Sequence, residues 1–135
     1  GPLEQSLKTK ASELGIADKV IFTGNVRNPQ DYFNAMDCMM LPSLFEGFPL
    51  TIVEAVCSGL CCFVSDTVTR EVEISSLVRF FSLEEGALSA AKMVLTAKEV
   101  ERASQVNLLK ELHFDADELV KEMERRYLNS SIGGE

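Results

Sequence analysis

Short runs of apolar and β-branched residues alternate in this chain with segments of helical periodicity. The runs cover residues 19–23, Cys38–Leu41, residues 60–65 and Val78–Phe81. Strands that are apolar along most of their length and are separated by helices are typical of a parallel sheet covered on both faces. We therefore predict an α/β fold, a Rossmann-like parallel sheet of four strands with helices on both faces.

Several helices between these runs have recognisable ends. Apolar residues at helical spacing extend from Leu3 to Leu14, and Gly15 follows them, a residue type that suits the position just after a helix. Asparagine before proline is a common helix start, and glycine a common helix end. A second helix is predicted to begin at Asn28-Pro29 and to run to about Met36. A third is predicted to begin at Pro49 and to end at Gly59.

Capping-box patterns predict helices in the second half of the chain. Such a box pairs a small polar residue with a glutamate three positions later. Behind the last box, apolar residues share one face of a helix. We assign residues 1–129 to one domain and residues 130–135 to a flexible tail. The boxes are Ser82 with Glu85, Thr96 with Glu99, and Asp115 with Glu118, and the last apolar face consists of Leu119, Val120, Met123 and Tyr127.

Composition excludes several classes of function. The formal net charge of −8 disfavours nucleic acid as a partner and disfavours electrostatic docking on an anionic membrane. No apolar run approaches the ~20 residues of a membrane span. The start of the chain lacks both a signal-peptide pattern and an initiator methionine. These features predict a fragment or a processed product.

The four cysteines do not form a metal-binding pattern. Cys38, Cys57, Cys61 and Cys62 contain no CxxC pair, and the single histidine, His113, is far away in sequence. Zinc sites need closer spacing of their ligands. We expect reduced thiols in the core of a protein that resides in a reducing compartment.

Two glutamates are the only charged residues between Leu41 and Val64. A helix that begins at Pro49 leaves Glu46 in the preceding loop and places Glu54 in the second turn. Because that helix is apolar nearly all round, we expect it to be buried, and a buried carboxylate needs hydrogen-bond donors. From spacing alone, the two residues can equally be a cap and a structural ion pair.

The position of this segment in the predicted sheet favours a ligand site. The loop of residues 42–48 leaves a strand at its carboxyl end, where open α/β sheets bind ligands. The helix start at Gly47-Phe48-Pro49-Leu50 offers free N–H groups and a positive dipole end to a phosphate. Glu54 can then accept hydrogen bonds from a ribose diol, and Glu46 can lie beside a sugar. A phosphate, a ribose and a sugar are the parts of a nucleotide sugar, so the segment predicts a site for such a ligand.

The segment from Pro42 to Gly59, PSLFEGFPLTIVEAVCSG, resembles the signature of family 4 glycosyltransferases. That signature has a Pro-Ser, a Glu-Gly-Phe, a second Glu eight positions after the first, and then Ala, Gly and a strand. VIFTG, which ends at Gly24, is similar to the strand and glycine upstream of it. SDTVTRE, from Ser65, is similar to a segment of Gram-positive exopolysaccharide and capsule enzymes. Pro49 stands where the family often has glycine.

The resemblance implies the donor-binding domain of a retaining enzyme with two Rossmann-like domains (the GT-B fold). It would be the C-terminal domain, truncated so that the acceptor domain and the first strand–helix–strand unit lie before Gly1. The family assigns one glutamate to the reacting centre and its other conserved positions to the donor. On that basis Glu46 is the catalytic candidate, Glu54 holds the ribose, Gly47, Phe48, Pro49 and Leu50 meet the diphosphate and sugar, and Gly24, Asn25 and Val26 lie near the base.

The resemblance also implies partners and a location. The donor would be a nucleotide-diphosphate sugar, UDP-linked, and transfer would need neither a cofactor nor a metal. The acceptor would be a glycan or a lipid-linked glycan at the cytoplasmic face of the membrane. We expect the chain by itself to be inactive, and its exposed strand edge to invite self-association.

Three alternatives remain open at this point. The first is a non-catalytic interaction module that has kept the fold. The second is a nucleotide-sugar epimerase of the same fold, which product analysis would distinguish by isomerisation rather than transfer. The third is a flavodoxin-like signalling domain, although the acidic cluster expected after its first strand is not seen.

Overall fold

A computed structural model describes residues 1–112 together with Phe114, Asp117, Val120, Lys121 and Arg125. Helices and strands alternate through most of this part, and three short 3-10 turns lie between them. The helices are α1 (Glu4–Glu13), α2 (Pro29–Ala35), α3 (Leu50–Cys57), α4 (Gly86–Leu95) and α5 (Val106–Glu111). The strands are β1 (Cys38–Leu41), β2 (Cys61–Ser65) and β3 (Val78–Phe81).

The three strands form one parallel sheet in the order β1-β2-β3. In the register of the sheet, Cys38 lies opposite Cys61 and Cys62 lies opposite Val78. The predictions for β1 and β3 are confirmed, and β2 begins one residue later than predicted. All three carboxyl ends lie on one edge of the sheet, since the strands are parallel.

The predicted strand at residues 19–23 is wrong. Lys19 ends a 3-10 turn, and residues 20–23 join no ladder of the sheet. A β-rich composition makes a strand only where a neighbouring strand takes up its N–H and C=O groups. Among the described residues β1 pairs only with β2, and Ile21 is 86% exposed. The described sheet therefore has three strands rather than four.

The central strand β2 carries the core on both of its faces. Cys62 and Val64 pack with residues of α2 and α3, whereas Cys61 and Phe63 pack with residues of α4. Every residue of β2 is buried. Full burial of a large apolar side chain contributes roughly 1.5–3 kcal/mol, so this strand anchors both layers. The predicted helices on both faces are confirmed.

Two helices end as their glycines predict. Gly15 adopts φ +67°, its N–H bonds to the Ser12 carbonyl, and Ile16 N–H bonds to the Ala11 carbonyl. Gly59 does the same after α3, with φ +71° and bonds to the last turn of that helix. Both are Schellman ends, in which a left-handed residue lets the chain satisfy the last carbonyls.

The two capping boxes that the structure describes are wrong. The Ser82 hydroxyl accepts from Glu84 N–H at 3.3 Å, and α4 begins only at Gly86. Thr96 accepts from Arg79 and donates to the Met93 carbonyl, at the start of a 3-10 turn. Serine and threonine form such local bonds in competition with helix capping. The third box, the tail and His113 lie outside the described residues, as does the last apolar face apart from Val120.

The segment between α4 and α5 links the ends of α2 and α3. The Arg102 guanidinium donates to the carbonyls of Phe33, Asn34 and Met36 at the end of α2, and to Ser58 at the end of α3. Cationic donors suit these positions because the last carbonyls of a helix have no partner within it. No helix that the structure describes is both long enough and apolar enough to cross a bilayer.

Candidate functional site

The loop that follows β1 is fastened to the end of β2. Ser65, the last residue of β2, donates its buried hydroxyl to the main-chain carbonyl of Ser43, and Thr67 donates to the same carbonyl at 2.8 Å. A carbonyl oxygen has two lone pairs, so both bonds can form together. The carboxyl ends of two neighbouring strands therefore hold the start of this loop in place.

Glu46 is oriented by the same anchored residue. The Ser43 hydroxyl donates to Oε1 of Glu46 at 2.8 Å, and the glutamate is half-buried. No described residue donates to the second carboxylate oxygen, Oε2. One oxygen of Glu46 is thus held by the protein, and the other remains available at the carboxyl edge of the sheet.

The start of α3 matches the predicted helix start within one residue. Pro49 is buried and forms the N-cap, and Leu50 is the first helical residue. The first N–H groups of a helix have no partner within it. A Cβ added at Gly47 would meet nothing within 4 Å, so the main chain there is open to close approach.

The expectation that Glu54 is buried is wrong. Ile52, Val53, Ala55 and Val56 bury the faces of α3 toward the sheet and its neighbouring helices, while Glu54 is exposed. Neither glutamate forms an ion pair with a described basic side chain, and no side chain caps α3. The interpretation of the two glutamates as a cap and a buried ion pair is therefore not supported.

Glu54 opens into a cleft of about 310 Å³ between helices α2, α3 and α5. The cleft has an apolar floor from α3, and polar and charged groups at its rim. It is the size of the smaller clefts that hold small molecules, which range from roughly 300 to 1,000 Å³. Its lining residues are Gln30, Val53, Glu54, Cys57, Ser58, Val106, Lys110 and Phe114.

Phe114 connects this cleft to the loop that carries Glu46. Its ring stacks on the ring of Phe48, with centroids 5.8 Å apart and an interplanar angle of 13°. Phe114 also lines the cleft, so one side chain contacts both parts of the candidate site. Stacked aromatic pairs contribute about 0.5–1.5 kcal/mol beyond the area that they bury.

Glu54 is the one predicted site residue in the described lining of the cleft. Glu54 lines the cleft, and Phe48 reaches it through Phe114, but Glu46 lies outside the lining. Gly24 makes a left-handed turn with φ +63° and, like Asn25 and Val26, is not part of the lining. On that side the cleft is lined by Gln30, near the start of α2.

The cysteines are free thiols in the structure, and only two of them are buried. Cys61 and Cys62 lie within the sheet, whereas Cys38 and Cys57 are half-buried and Cys57 faces the cleft. Burial raises the pKa of the Cys62 thiol to about 12. Among the described residues no three potential metal-ligating side chains form a group.

Sequence patterns missed several residues of this site. Ser65 gave a faint signal, as the one polar residue at the carboxyl end of an apolar strand. Ser43 was part of the recognised segment but had no assigned role. Gln30, Lys110 and Phe114 gave no signal, because their place depends on how α2 and α5 pack around α3.

Comparisons with known proteins agree on one family. A family model described as glycosyl transferases group 1 matches residues 1–105. The chain is 31% identical over 124 residues to the glycosyltransferase EpsF of Bacillus subtilis, covering 89% of this chain and 32% of that protein. No solved structure matches the chain at a significant level.

Two further relatives are described by the biosynthesis of a lipopolysaccharide core and of a capsular polysaccharide. The lipopolysaccharide core biosynthesis mannosyltransferase LpsB of Rhizobium meliloti is 34% identical over 88 residues, which cover 65% of this chain and 24% of that protein. The capsular polysaccharide biosynthesis glycosyltransferase CapH of Staphylococcus aureus is 22% identical over 122 residues, 90% of this chain and 34% of that protein. The chain spans about a third or less of the length of these relatives.

Proposed function

The chain belongs to the glycosyl transferases group 1, and from that premise we propose that it is the donor-binding part of a retaining glycosyltransferase. Its donor is a nucleotide-diphosphate sugar, UDP-linked. The observation that carries the proposal is that the anchored Glu46 loop leads into the start of α3 at the carboxyl edge of the sheet, with Glu54 exposed one turn further along that helix. In open α/β folds this is the edge at which ligands bind.

Each part of the donor has a counterpart in this arrangement. The free N–H groups and positive dipole at the start of α3 suit the diphosphate, and the open side of Gly47 permits its approach. The exposed carboxylate of Glu54 accepts hydrogen bonds from the ribose diol. Glu46, with one oxygen held by Ser43, turns its other oxygen to the sugar.

The reaction replaces one bond at the anomeric carbon. The bond from that carbon to the diphosphate oxygen breaks, a bond to the acceptor hydroxyl oxygen forms on the same face, and the hydroxyl proton passes to the leaving diphosphate. The site aids this step by stabilising charge on the departing diphosphate through preorganised N–H groups. We propose that no metal is required, so donor binding should persist in the presence of a chelator.

The descriptions of the relatives support a proposal for the acceptor. EpsF, LpsB and CapH are described as glycosyltransferases, and two of them by the polysaccharides they help to make. We propose a growing surface glycan as the acceptor, bound by a part of the enzyme outside this chain. The proposed place of transfer is the cytoplasmic face of the membrane.

Calorimetric titration with UDP, GDP and UDP-sugars tests the proposal. We expect one nucleotide to bind with a dissociation constant on the order of micromolar, which corresponds to a binding free energy of about −8 kcal/mol. We expect Glu54→Ala to abolish this binding. Failure of every nucleotide to bind the folded chain would favour the non-catalytic alternative. Product analysis of an enzyme that also contains the acceptor-binding part separates the epimerase alternative, which would isomerise the donor sugar instead of transferring it.

Glu46 has its own test in the same assay. Glu46→Gln should leave the affinity for UDP within about twofold but should weaken the binding of the UDP-sugar, because this carboxylate contacts the sugar only. Equal loss of UDP and UDP-sugar binding would show that Glu46 acts elsewhere than beside the sugar.

A further inference from the structure

We propose that the ring of Phe45 stacks on the terminal sugar of the acceptor, so that this chain adds a contact of its own to acceptor binding. The inference rests on the proposed function, in which Glu46 lies beside the donor sugar and a growing glycan is the acceptor. The ligand class is a pyranose with an apolar ring face. The rest of the glycan is bound by the part of the enzyme outside this chain.

Phe45 is a large ring that lies in solvent immediately before Glu46. Its exposed fraction is 84%, and that of the neighbouring Leu44 is 81%. Neither side chain belongs to the two apolar clusters of the described core. The described core therefore gains nothing from this ring, and its apolar surface is open to a ligand.

The main chain is held in place on both sides of Phe45. The hydroxyls of Ser65 and Thr67 donate to the Ser43 carbonyl, and the Ser43 hydroxyl donates to Glu46. Phe45 thus belongs to a bridge of two residues between two fixed ones. A binding surface that is already positioned avoids part of the ordering cost of association.

The place of Phe45 in the chain fits the place of an acceptor ring. Consecutive Cα atoms are about 3.8 Å apart, so the ring begins one residue from the carboxylate proposed to contact the donor sugar. The acceptor oxygen has to lie about 3–3.5 Å from the anomeric carbon before reaction. The acceptor ring that carries this oxygen therefore lies against the donor sugar, near Glu46. Phe45 is also the most exposed aromatic residue that the structure describes.

An exposed aromatic ring beside a carboxylate matches the two kinds of surface on a sugar. A pyranose has C–H groups on its faces and hydroxyls around its rim. The face of an aromatic ring is negative and attracts C–H groups, while a carboxylate accepts from hydroxyls. A second protein fits less well, because each side of a stable interface uses about 20–30 residues. In the loop of residues 42–48, Leu44 and Phe45 are the two large apolar side chains that are more than half exposed.

Fluorescence provides the first test, because the chain contains no tryptophan. Phe45→Trp keeps an aromatic face and makes it the single indole of the full chain. It is titrated with the methyl pyranosides of glucose, galactose, mannose and N-acetylglucosamine, each in both anomeric forms. We expect at least one glycoside to change the indole emission, with a dissociation constant on the order of millimolar.

A control probe and a control reporter accompany this titration. Sorbitol offers hydroxyls without a ring face and should leave the emission of Phe45→Trp unchanged. Leu88→Trp places the indole on α4, at a position that is 71% exposed. Because α4 packs on the face of the sheet opposite to α3, this reporter should respond to none of the glycosides.

Phe45→Leu separates stacking from apolar contact in general, since it keeps an apolar side chain and removes the aromatic face. Ligand-observed NMR with the responding glycoside should show binding about fivefold weaker than in the unaltered chain. Phe45→Tyr and the neighbouring control Leu44→Ala should stay within about twofold. All of these variants should bind UDP as the unaltered chain does. Circular dichroism checks that each of them is folded.

The outcomes separate this inference from the proposed function. No response to any glycoside, or equal glycoside affinity in Phe45→Leu and the unaltered chain, would overturn the inference alone. Glycoside binding that is lost in Glu46→Gln but kept in Phe45→Leu would do the same, because the sugar would then occupy the donor position.

Two further results would also be decisive. A change in sedimentation of Phe45→Leu without a change in glycoside affinity would overturn the inference, because the ring would then lie in an interface between copies of the chain. Absence of UDP binding to the unaltered chain, or UDP binding that is indifferent to Glu54→Ala, would overturn the proposed function itself.

Discussion

The hydroxyl of Ser65 at the end of β2 donates a hydrogen bond to the main-chain carbonyl of Ser43, two residues beyond the end of β1. Through this bond the sheet fixes the residue whose own hydroxyl holds Glu46. The orientation of the candidate catalytic carboxylate therefore depends on the packing of two strands rather than on the loop alone.

Removal of this hydroxyl should have a small, measurable effect. Ser65→Ala should lower the free energy of unfolding by about 1 kcal/mol, since the Ser43 carbonyl keeps its bond from Thr67. Ser12→Ala, which removes an exposed hydroxyl bond within α1, should stay within about 0.5 kcal/mol of the unaltered chain. Urea unfolding measures both, and equal effects would mean that the Ser65 bond adds nothing.

The two helix-ending glycines should respond differently to alanine. At Gly15, φ +67° is the only obstacle, because an added Cβ meets nothing within 4 Å, and Gly15→Ala should cost about 1–2 kcal/mol. At Gly59 the Cβ would also clash with the main-chain carbonyl of Ala103. Gly59→Ala should therefore cost at least about 1–3 kcal/mol more. Thermal unfolding compares the pair, and equal costs would contradict the close approach.

Arg102 should stabilise the fold more than an exposed charged side chain usually does. Arg102→Met removes the hydrogen bonds to four carbonyls and should cost about 2 kcal/mol. Lysine should recover less than half of this loss, because it lacks the planar fork. Arg27→Met provides the control for an exposed charge and should change stability by less than about 0.5 kcal/mol. A full recovery by Arg102→Lys would show that charge alone matters.

The buried thiol of Cys62 should make stability depend on alkaline pH. Burial raises its pKa from 9.0 to about 12, so the folded state keeps the proton that the unfolded state releases. The free energy of unfolding that this group contributes is present below pH 9 and is lost as pH rises from about 9 to about 12. Cys62→Val removes the titrating group and keeps the volume. The free energy of unfolding of the unaltered chain, relative to that of Cys62→Val, should be constant up to pH 9 and should fall at higher pH.

Local sequence signals predicted the parts of the fold that local physics decides. β1 and β3 were recognised from apolar runs, and Gly15 and Gly59 from their position after a helix. The strand at residues 19–23 failed because a strand needs a neighbour, and composition does not supply one. The box at Ser82 failed because its hydroxyl satisfied a nearer N–H group.

The candidate site was predictable only in part for a related reason. The spacing of Glu46 and Glu54 predicted that they frame a helix start, and this is confirmed. The burial of Glu54 was misjudged, because α3 buries Ile52, Val53, Ala55 and Val56 and leaves Glu54 exposed, together with Leu50 and Thr51. Phe48 and Phe114, which stack on each other, are separated by about half of the chain, and no periodicity indicates a pairing of that range.

Chemical-shift mapping with UDP tests the central claim most directly, because it locates a bound nucleotide residue by residue. In ¹H–¹⁵N spectra of the folded chain, we predict that UDP shifts the amides from Gly47 to Glu54, apart from Pro49, which has no N–H. The amides of α1 should not move. Shifts that avoid the start of α3, or no shifts at saturating UDP, would contradict a donor site at this edge of the sheet.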